Sequence, residues 1–352
     1  MKSLVIILTT ICLFSCNNKQ SQSKKPTLDS TLQVNISHLL QNKLTKINAL
    51  SGQVILMDTK TGEIKTMISL EKVDHSYKNC SGVSNTQESG LMSTISTMTA
   101  LESGKVNYTD TFDVGNGLFS YKNRTIKDHN WQRGGYGKLT VEEGLIFNSN
   151  IATVLGVIKA FENAPNNYFT QLKKMSVGEP SQIDGIKGLK PAHFVTPADP
   201  NWNDTTLIQS CIGCCENMAP IQMLTFYNAI ANNGKMVKPQ LYKGSTVIIN
   251  PQIASQGTIK NIQHGLERVV TEGLGKPASI ENISIAGKIG ITSLNDKEEI
   301  FRLEFCGYFP AKNPQYTAIV IINKKGLPAS SGLMAGDTFK QIVEYLIKKI
   351  NT

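Results

Sequence analysis

The chain has 352 residues, a formal net charge of +9 and a hydrophobic content of 40%. This length is within the range of one large domain, and the apolar share is typical of a globular core. No nucleic-acid-binding motif accompanies the positive charge, so we predict no nucleic-acid partner. A basic surface favours anionic lipid headgroups or acidic wall polymers, but because the lysines are scattered along the sequence we expect an ordinary solvated surface.

The N-terminal residues have the pattern of a secretion signal. Lys2 precedes an apolar run over 4–14, which is shorter than the ~20 residues that cross a bilayer. The sequence LFSC at 13–16 fits a lipobox, so we predict a lipoprotein signal peptide over 1–15 and lipidation of Cys16. The alternative is an ordinary cleaved signal with an incidental cysteine. Residues 16–26 are then the lipidated cysteine and a flexible tether, and residues 27–352 form the domain.

Apolar residues at helical spacing predict helices in this domain. The predicted helices lie over 29–48, 89–102, 138–161 and 168–178. A strand hairpin is predicted over 52–70, with its turn at 60–62. Residues 104–137 are predicted to be irregular with short strands. Thr140 is the predicted N-cap of the third helix, which an Asn-Ser-Asn triplet interrupts at 148–150.

Several segments resemble, in the same order, the transpeptidase domain of class B penicillin-binding proteins. They are MDTKTGEI, TALESGKV, GKLTVEEGLIFNSNIA, APIQMLTFYNAIANNGKMVKPQL, IAGKIG and FCGYFPAKNPQYTAIVII. The resemblance covers most of the mature chain. It implies an α+β fold in which a central antiparallel sheet is flanked by helices and carries an all-helical subregion. It also implies helices over 219–242, with the C-cap and turn at 233–234, over 265–274 and over 337–350, and strands over 285–292 and 307–323. It implies no cofactor.

Members of this family acylate a serine, using S-x-x-K, S-x-N and K-T-G motifs. On the first motif, the nucleophile position of this chain falls on Gly90 or Leu91, depending on the register, and the lysine position on Ser93 or Thr94. Between Lys78 and Lys105 there is no lysine. A serine hydroxyl needs an adjacent base to act as a nucleophile, so the first motif is lost in either register.

The other two motifs are altered but partly kept. Asn148 replaces the hydroxyl residue of S-x-N, and an amide cannot relay a proton at neutral pH, whereas Asn150 matches the asparagine of that motif. Lys288 and Gly290 match the lysine and glycine of K-T-G. The two residues beside this glycine are isoleucines, and Thr292 follows. By resemblance, all of these residues line a ligand-binding cleft.

Three readings follow from this pattern. The first is a catalytically inactive, lipid-anchored protein on the periplasmic side of a bacterial membrane, which binds a peptidoglycan stem peptide or a cell-wall synthesis protein. The second is an active D,D-transpeptidase with a displaced nucleophile, for which the candidates are Ser89, Ser93 and Ser96. That reading requires a serine hydroxyl within hydrogen-bond distance of Lys288. A sensor that binds β-lactams without reacting is a third reading, but the sequence has no output domain to support it.

The cysteines do not predict a metal site. Cys211, Cys214 and Cys215 include one C-x-x-C pair, but no second pair or H-x-x-H motif supplies the remaining ligands of a zinc site. Cys80 and Cys306 lie far from them in the sequence. The predicted oxidising compartment permits disulfides among the five, and the pairing is left open.

Overall fold

The computed structural model describes residues 24–80 and 82–350. The predicted signal peptide, Cys16 and the first part of the tether lie outside the described residues. The helices are α1 Ser30–Ile47, α2 Met92–Glu102, α3 Val141–Ile146, α4 Asn150–Phe161, α5 Pro165–Lys174, α6 Thr206–Ser210, α7 Pro220–Ala231, α8 Gln256–Thr271 and α9 Asp337–Ile350. A π-helical turn, Gly332–Gly336, precedes α9.

The described strands form one large sheet and several two-stranded ribbons. The large sheet contains β1 Ser51–Asp58, β2 Ile64–Val73, β3 Ser76–Asn79, β12 Ala286–Asn295, β13 Ile300–Phe309 and β14 Tyr316–Lys325. The ribbons contain β4 Thr111–Gly115, β5 Leu118–Tyr121, β6 Arg124–Lys127, β7 Gly137–Thr140, β8 His193–Phe194, β9 Glu216–Asn217, β10 Met236–Val237 and β11 Ile248–Asn250.

The large sheet is antiparallel throughout, with the strand order β12-β13-β14-β1-β2-β3. One edge is therefore β12, which contains the K-T-G-like residues. In the register of β12 with β13, Lys288 is paired with Cys306, Gly290 with Glu304 and Thr292 with Arg302. This register places two charged residues of β13 directly behind the candidate site.

Apolar side chains cover both faces of the sheet. On β1, Val54 and Leu56 point to one face and Ile55 and Met57 to the other, and all of them are fully buried. One face packs against α1 and α9, and the other packs against the helices that include α2 and α7. This arrangement confirms the predicted α+β fold with a central antiparallel sheet.

One departure from the predicted elements is at 138–161. Residues 138–140 complete β7, and the helix that follows is divided into α3 and α4. Thr140 is the N-cap of α3 and accepts a hydrogen bond from Glu143 N at 3.1 Å. The chain turns between the two helices at Asn148, which has φ 54°. Among the described helices, none is both long enough and apolar enough to cross a membrane.

Candidate functional site

The N-terminal end of α2 lies directly against the edge strand β12, and Gly90 makes this contact. A Cβ on Gly90 would lie 2.7 Å from Ile291 N and 3.1 Å from Gly290 Cα. These are backbone atoms, so a side chain at position 90 would require the two segments to separate. Gly90 N donates a hydrogen bond to Thr292 Oγ1 at 3.0 Å, whereas the Leu91 side chain is fully buried in the core. Of the two candidate nucleophile positions, Gly90 is therefore the one that faces β12.

Ser89 is held by a buried carboxylate. Its hydroxyl lies 3.0 and 2.9 Å from the two oxygens of Glu304, to which it donates. Arg302 Nε donates to the same carboxylate at 2.9 Å. The Glu304 and Arg302 side chains are 0% and 2% exposed. Glu304 also passes close to Gly290, where a Cβ would lie 2.8 Å from its Oε2.

The other two candidate serines also have their hydroxyls engaged within the fold. Ser93 Oγ donates to Gly90 O at 3.1 Å, and Ser96 Oγ shares a hydrogen bond of 2.8 Å with Tyr168 Oη. Ser96 and Tyr168 are both fully buried. Each hydroxyl therefore stabilises α2 or its packing, and among the described residues none of the three candidate serines forms a hydrogen bond with Lys288.

Lys288 and Asn148 meet on the other side of the site. Lys288 Nζ donates to Asn148 Oδ1 and to the carbonyl oxygen of Ile289 at 3.1 Å. The lysine is almost fully buried, and this burial lowers the pKa of its ammonium group to about 7. The structure thus brings the K-T-G-like lysine and the first residue of the S-x-N-like triplet into direct contact.

The remaining residues of the triplet position the start of α4. Ser149 is the N-cap and accepts a hydrogen bond from Ala152 N at 3.0 Å. Its hydroxyl donates to the buried carboxylate of Asp128 at 2.7 Å. Asn150 Nδ2 donates to Lys127 O at 3.0 Å. The contact between Ser149 and Asp128 was not predicted from the sequence, although a serine before a helix is a recognisable N-cap signal.

An aromatic group extends this side of the site. His129 Nε2 and Tyr136 Oη are 2.8 Å apart, and the Tyr136 ring stacks on Phe147 with a centroid distance of 5.3 Å. The pKa of His129 is lowered, first by burial and then by the nearby Arg133. The imidazole is therefore neutral at neutral pH, and it serves as a hydrogen-bond partner of the tyrosine.

The loop over 211–216 covers Ser89. A Cβ at Gly213, which has φ +93°, would lie 2.0 Å from Ser89 O, so this close approach requires a glycine. Glu216 is 1% exposed, and among the described residues neither of its carboxyl oxygens has a hydrogen-bond partner. Burial therefore raises the pKa of Glu216 well above its ordinary value.

The cysteines of this loop are thiols. All five cysteines in the described part of the chain are free, so the disulfides that the sequence left open are not formed there. Burial is the largest cause that raises the pKa of Cys214 to about 12 and that of Cys215 to about 11. Among the described residues, no group of three or more His, Cys, Asp or Glu side chains is arranged to hold a metal ion.

Glu304 and Arg302 are also absent from the site residues predicted from the sequence. They stand two residues apart in a strand whose other central residues are apolar, so both project from the same face. Charged residues are rarely fully buried unless they are paired, and this alternation was the signal that could have identified them.

Comparisons with known proteins agree with this geometry. Residues 52–344 match the family described as the penicillin binding protein transpeptidase domain. Penicillin-binding protein PbpB of Mycolicibacterium smegmatis is 23% identical over 92% of this chain and 54% of its own length. Stage V sporulation protein D of Bacillus subtilis is 27% identical over 90% of this chain and 52% of its own length. The chain thus spans about half the length of these curated relatives.

A solved structure has the same fold over nearly its whole length. It is the apo transpeptidase domain of penicillin-binding protein 3 from Burkholderia pseudomallei, with a TM-score of 0.80 and 21% identity. The match covers 94% of this chain and 98% of that structure.

Proposed function

Because the chain belongs to the penicillin-binding protein transpeptidase domain family, we propose that it is a non-catalytic member of that family, which binds a peptidoglycan stem peptide or a cell-wall synthesis protein. The observation that carries the proposal is the contact of Gly90 with the backbone of β12. A Cβ there would lie 2.7 Å from Ile291 N, so the position that faces the strand has neither a hydroxyl nor space for one.

The ligand-binding side of the site supports the binding half of the proposal. Lys288, Asn148 and Asn150 bring an amine and two amides to one end of β12 and the start of α4. Such groups suit the carboxylate and the backbone amides of a peptide. Gly290 and Thr292, the other two residues proposed for the cleft, contact Gly90 at the α2 end of the site. The half of the site formed by Lys288, Asn148 and Asn150 recognises a ligand without contributing a nucleophile.

The proposed location is the periplasmic side of a bacterial membrane. Its basis is the signal-like sequence over 1–15 and the lipobox that ends at Cys16. Penicillin-binding protein relatives are consistent with a role at the cell wall, outside the cytoplasm. The lipidated Cys16 and the tether over 16–26 would then hold the domain over 27–352 near the membrane.

An active transpeptidase with a displaced nucleophile is the second candidate, and one contact favours it. The hydroxyl of Ser89 donates to the carboxylate of Glu304, and a carboxylate can accept a proton from an attacking serine. Against it, both residues are buried beneath the loop over 211–216 and behind the edge strand. A substrate would have to displace that loop before it reached Ser89.

The decisive experiment is intact-mass analysis of the purified mature protein after incubation with a reporter penicillin. We expect no mass increase, and a catalytically active penicillin-binding protein in parallel should be fully labelled. A stable adduct that maps to Ser89, Ser93 or Ser96 would overturn the non-catalytic proposal. If the adduct were lost in Ser89→Ala alone, the second candidate would replace the first.

The binding half is tested with soluble peptidoglycan fragments and isothermal titration calorimetry. Lys288→Met should weaken binding roughly tenfold, as expected for the loss of one charge-assisted hydrogen bond. The exposed Lys297 provides a matched control, since Lys297→Met should leave the affinity unchanged. Equal affinities for wild type and Lys288→Met would remove Lys288 from the proposed site.

A further inference from the structure

The described chain begins beside residues 242 and 243. Pro26 forms a β-bridge with Tyr242, and Lys243 N donates to Lys25 O at 2.8 Å. The ammonium group of Lys24 lies 5.8 Å from the centroid of the Tyr242 ring. These contacts fix the point at which the tether joins the domain.

Lysines surround this point. Lys24, Lys238 and Lys243 line a surface cavity of about 270 Å³, and Lys25 is exposed beside them. Asp184 is the acidic residue that lines the same cavity, and it pairs with Lys24. The sequence suggested scattered lysines, but the fold brings these four together and leaves the group strongly positive.

Two exposed apolar side chains adjoin the lysines. Val247 and Ile248 are 53% and 51% exposed, and Val247 also lines the cavity. Lys238 N donates to Val247 O at 2.8 Å, and Ile248 follows at the start of β11, so the backbone of the apolar pair lies beside Lys238. We refer to Lys24, Lys25, Lys238, Lys243, Val247 and Ile248 as the basic-apolar face.

We propose that the basic-apolar face rests on a phospholipid surface that contains anionic headgroups. The lysines contact the headgroup phosphates, and Val247 and Ile248 enter the boundary between headgroups and acyl chains. Apolar side chains with flanking lysines are the combination that binds such a surface, because apolar burial and electrostatic attraction act together.

The length of the tether supports a phospholipid surface as the partner of the basic-apolar face. With Cys16 lipidated, as proposed above, the eight residues from Cys16 to Lys24 span at most about 28 Å when fully extended. The basic-apolar face must therefore stay within about that distance of the bilayer. The distance limit depends on the proposed lipid anchor at Cys16. The positive charge and the exposed apolar pair do not depend on it.

Co-sedimentation with vesicles tests the proposal without the anchor. The protein is the mature chain with Cys16→Ser, and the vesicles contain phosphatidylcholine either alone or with phosphatidylglycerol. We expect binding to the anionic vesicles only, weakened by added salt. The triple variant Lys25→Gln/Lys238→Gln/Lys243→Gln should lower the partition coefficient about a hundredfold, on the order of fivefold per lysine. Val247→Asp/Ile248→Asp should also abolish most of the binding, and circular dichroism melts verify that each variant is folded.

Matched variants on other surfaces provide the controls. Lys46, Lys78 and Lys297 are exposed, and their triple glutamine variant removes the same charge from other parts of the surface. Leu333 is 64% exposed, and Leu333→Asp matches the apolar substitutions. Both controls should retain wild-type binding.

Several results would overturn the proposal. One is no binding to anionic vesicles. Another is binding to neutral vesicles as strong as binding to anionic ones. A third is a loss of binding in the control variants as large as in the variants of the basic-apolar face. Retention on isolated cell-wall sacculi through the same lysines, without vesicle binding, would assign the face to an acidic wall polymer instead. None of these results depends on penicillin labelling, so this proposal and the proposed function can fail separately.

Discussion

The two halves of the candidate site differ in what fills them. At the start of α2, backbone atoms of residue 90 and of β12 are in close contact, with a buried ion pair behind them. At the start of α4, Lys288 and Asn148 meet through side chains. The first half is closed by packing, whereas the second half keeps polar groups that can exchange one partner for another.

Under the proposed function, this difference is the way in which the transpeptidase fold loses its chemistry and keeps a binding site. A nucleophile needs an unoccupied position beside its base. Gly90, Ser89 and Glu304 instead use that position to join α2 to the sheet. Lys288 needs only a polar partner, and Asn148 supplies one. Stability and chemistry therefore compete in the first half but not in the second.

The largest expected effect comes from breaking the ion pair behind the first half. Glu304→Gln leaves the guanidinium of Arg302 buried without a counter-charge, which should lower the free energy of unfolding by about 3–5 kcal/mol. Urea unfolding at neutral pH measures this change. Glu298→Gln is the control, because that carboxylate pairs with Lys325 in an exposed position and should cost less than about 1 kcal/mol. Similar costs for the two variants would contradict the structural role of Glu304.

The next effect tests the contact of α2 with β12 directly. Gly90→Ala should lower the free energy of unfolding by up to about 3 kcal/mol, since the new methyl group meets the backbone at Ile291. The control is Gly257→Ala in α8, where a Cβ would meet nothing within 4 Å and helix propensity should stabilise by about 0.5–1 kcal/mol. An unchanged stability of Gly90→Ala would show that the first half has room for a side chain.

The second half should show a pH dependence set by Lys288. Its pKa in the folded protein is about 7, below the ~10.4 of an exposed lysine, so the unfolded chain binds more protons between these values. The stability that Lys288 contributes is therefore fully present above the pKa that it has in the unfolded chain. It is lost as the pH falls towards 7. Relative to Lys288→Met, wild type should gain about 2 kcal/mol between about pH 7 and pH 9. If the free energy of unfolding of the two proteins changed with pH in the same way, a lowered pKa of Lys288 would be excluded. The control is Lys297→Met at an exposed position, which should follow wild type.

The smallest expected effect concerns the loop that covers the first half. The pKa of Glu216 is raised by burial, so its contribution to stability is complete below the unfolded pKa and is lost as the pH rises towards the folded pKa. Glu216→Gln avoids that loss and should be more stable than wild type by about 1–2 kcal/mol at about pH 6. Thermal melts across the acidic range check this, with the exposed Glu281→Gln as the control. A difference that does not change with pH would mean that Glu216 does not titrate abnormally.

Much of the fold was predictable because its signals depend on neighbouring residues or on the order of segments along the chain. The hairpin turn at 60–62, the N-cap at Thr140 and the apolar spacing of α1 and α9 follow from neighbouring residues. The order of the matching segments indicated the family and therefore a central antiparallel sheet flanked by helices. Residues 138–140 were predicted as helix and form a strand because they pair with β4, which is a contact between segments that are distant in sequence.

The sequence by itself determined that no lysine lies between Lys78 and Lys105, where S-x-x-K would stand, and that a lysine and a glycine remain in the K-T-G-like strand. Only the tertiary structure decided that Gly90 faces β12, that Glu304 holds Ser89, and that four lysines gather where the tether joins the domain. The physical reason is distance along the chain. Residue types are fixed locally, whereas burial, pKa shifts and close contacts arise when segments more than a hundred residues apart pack together.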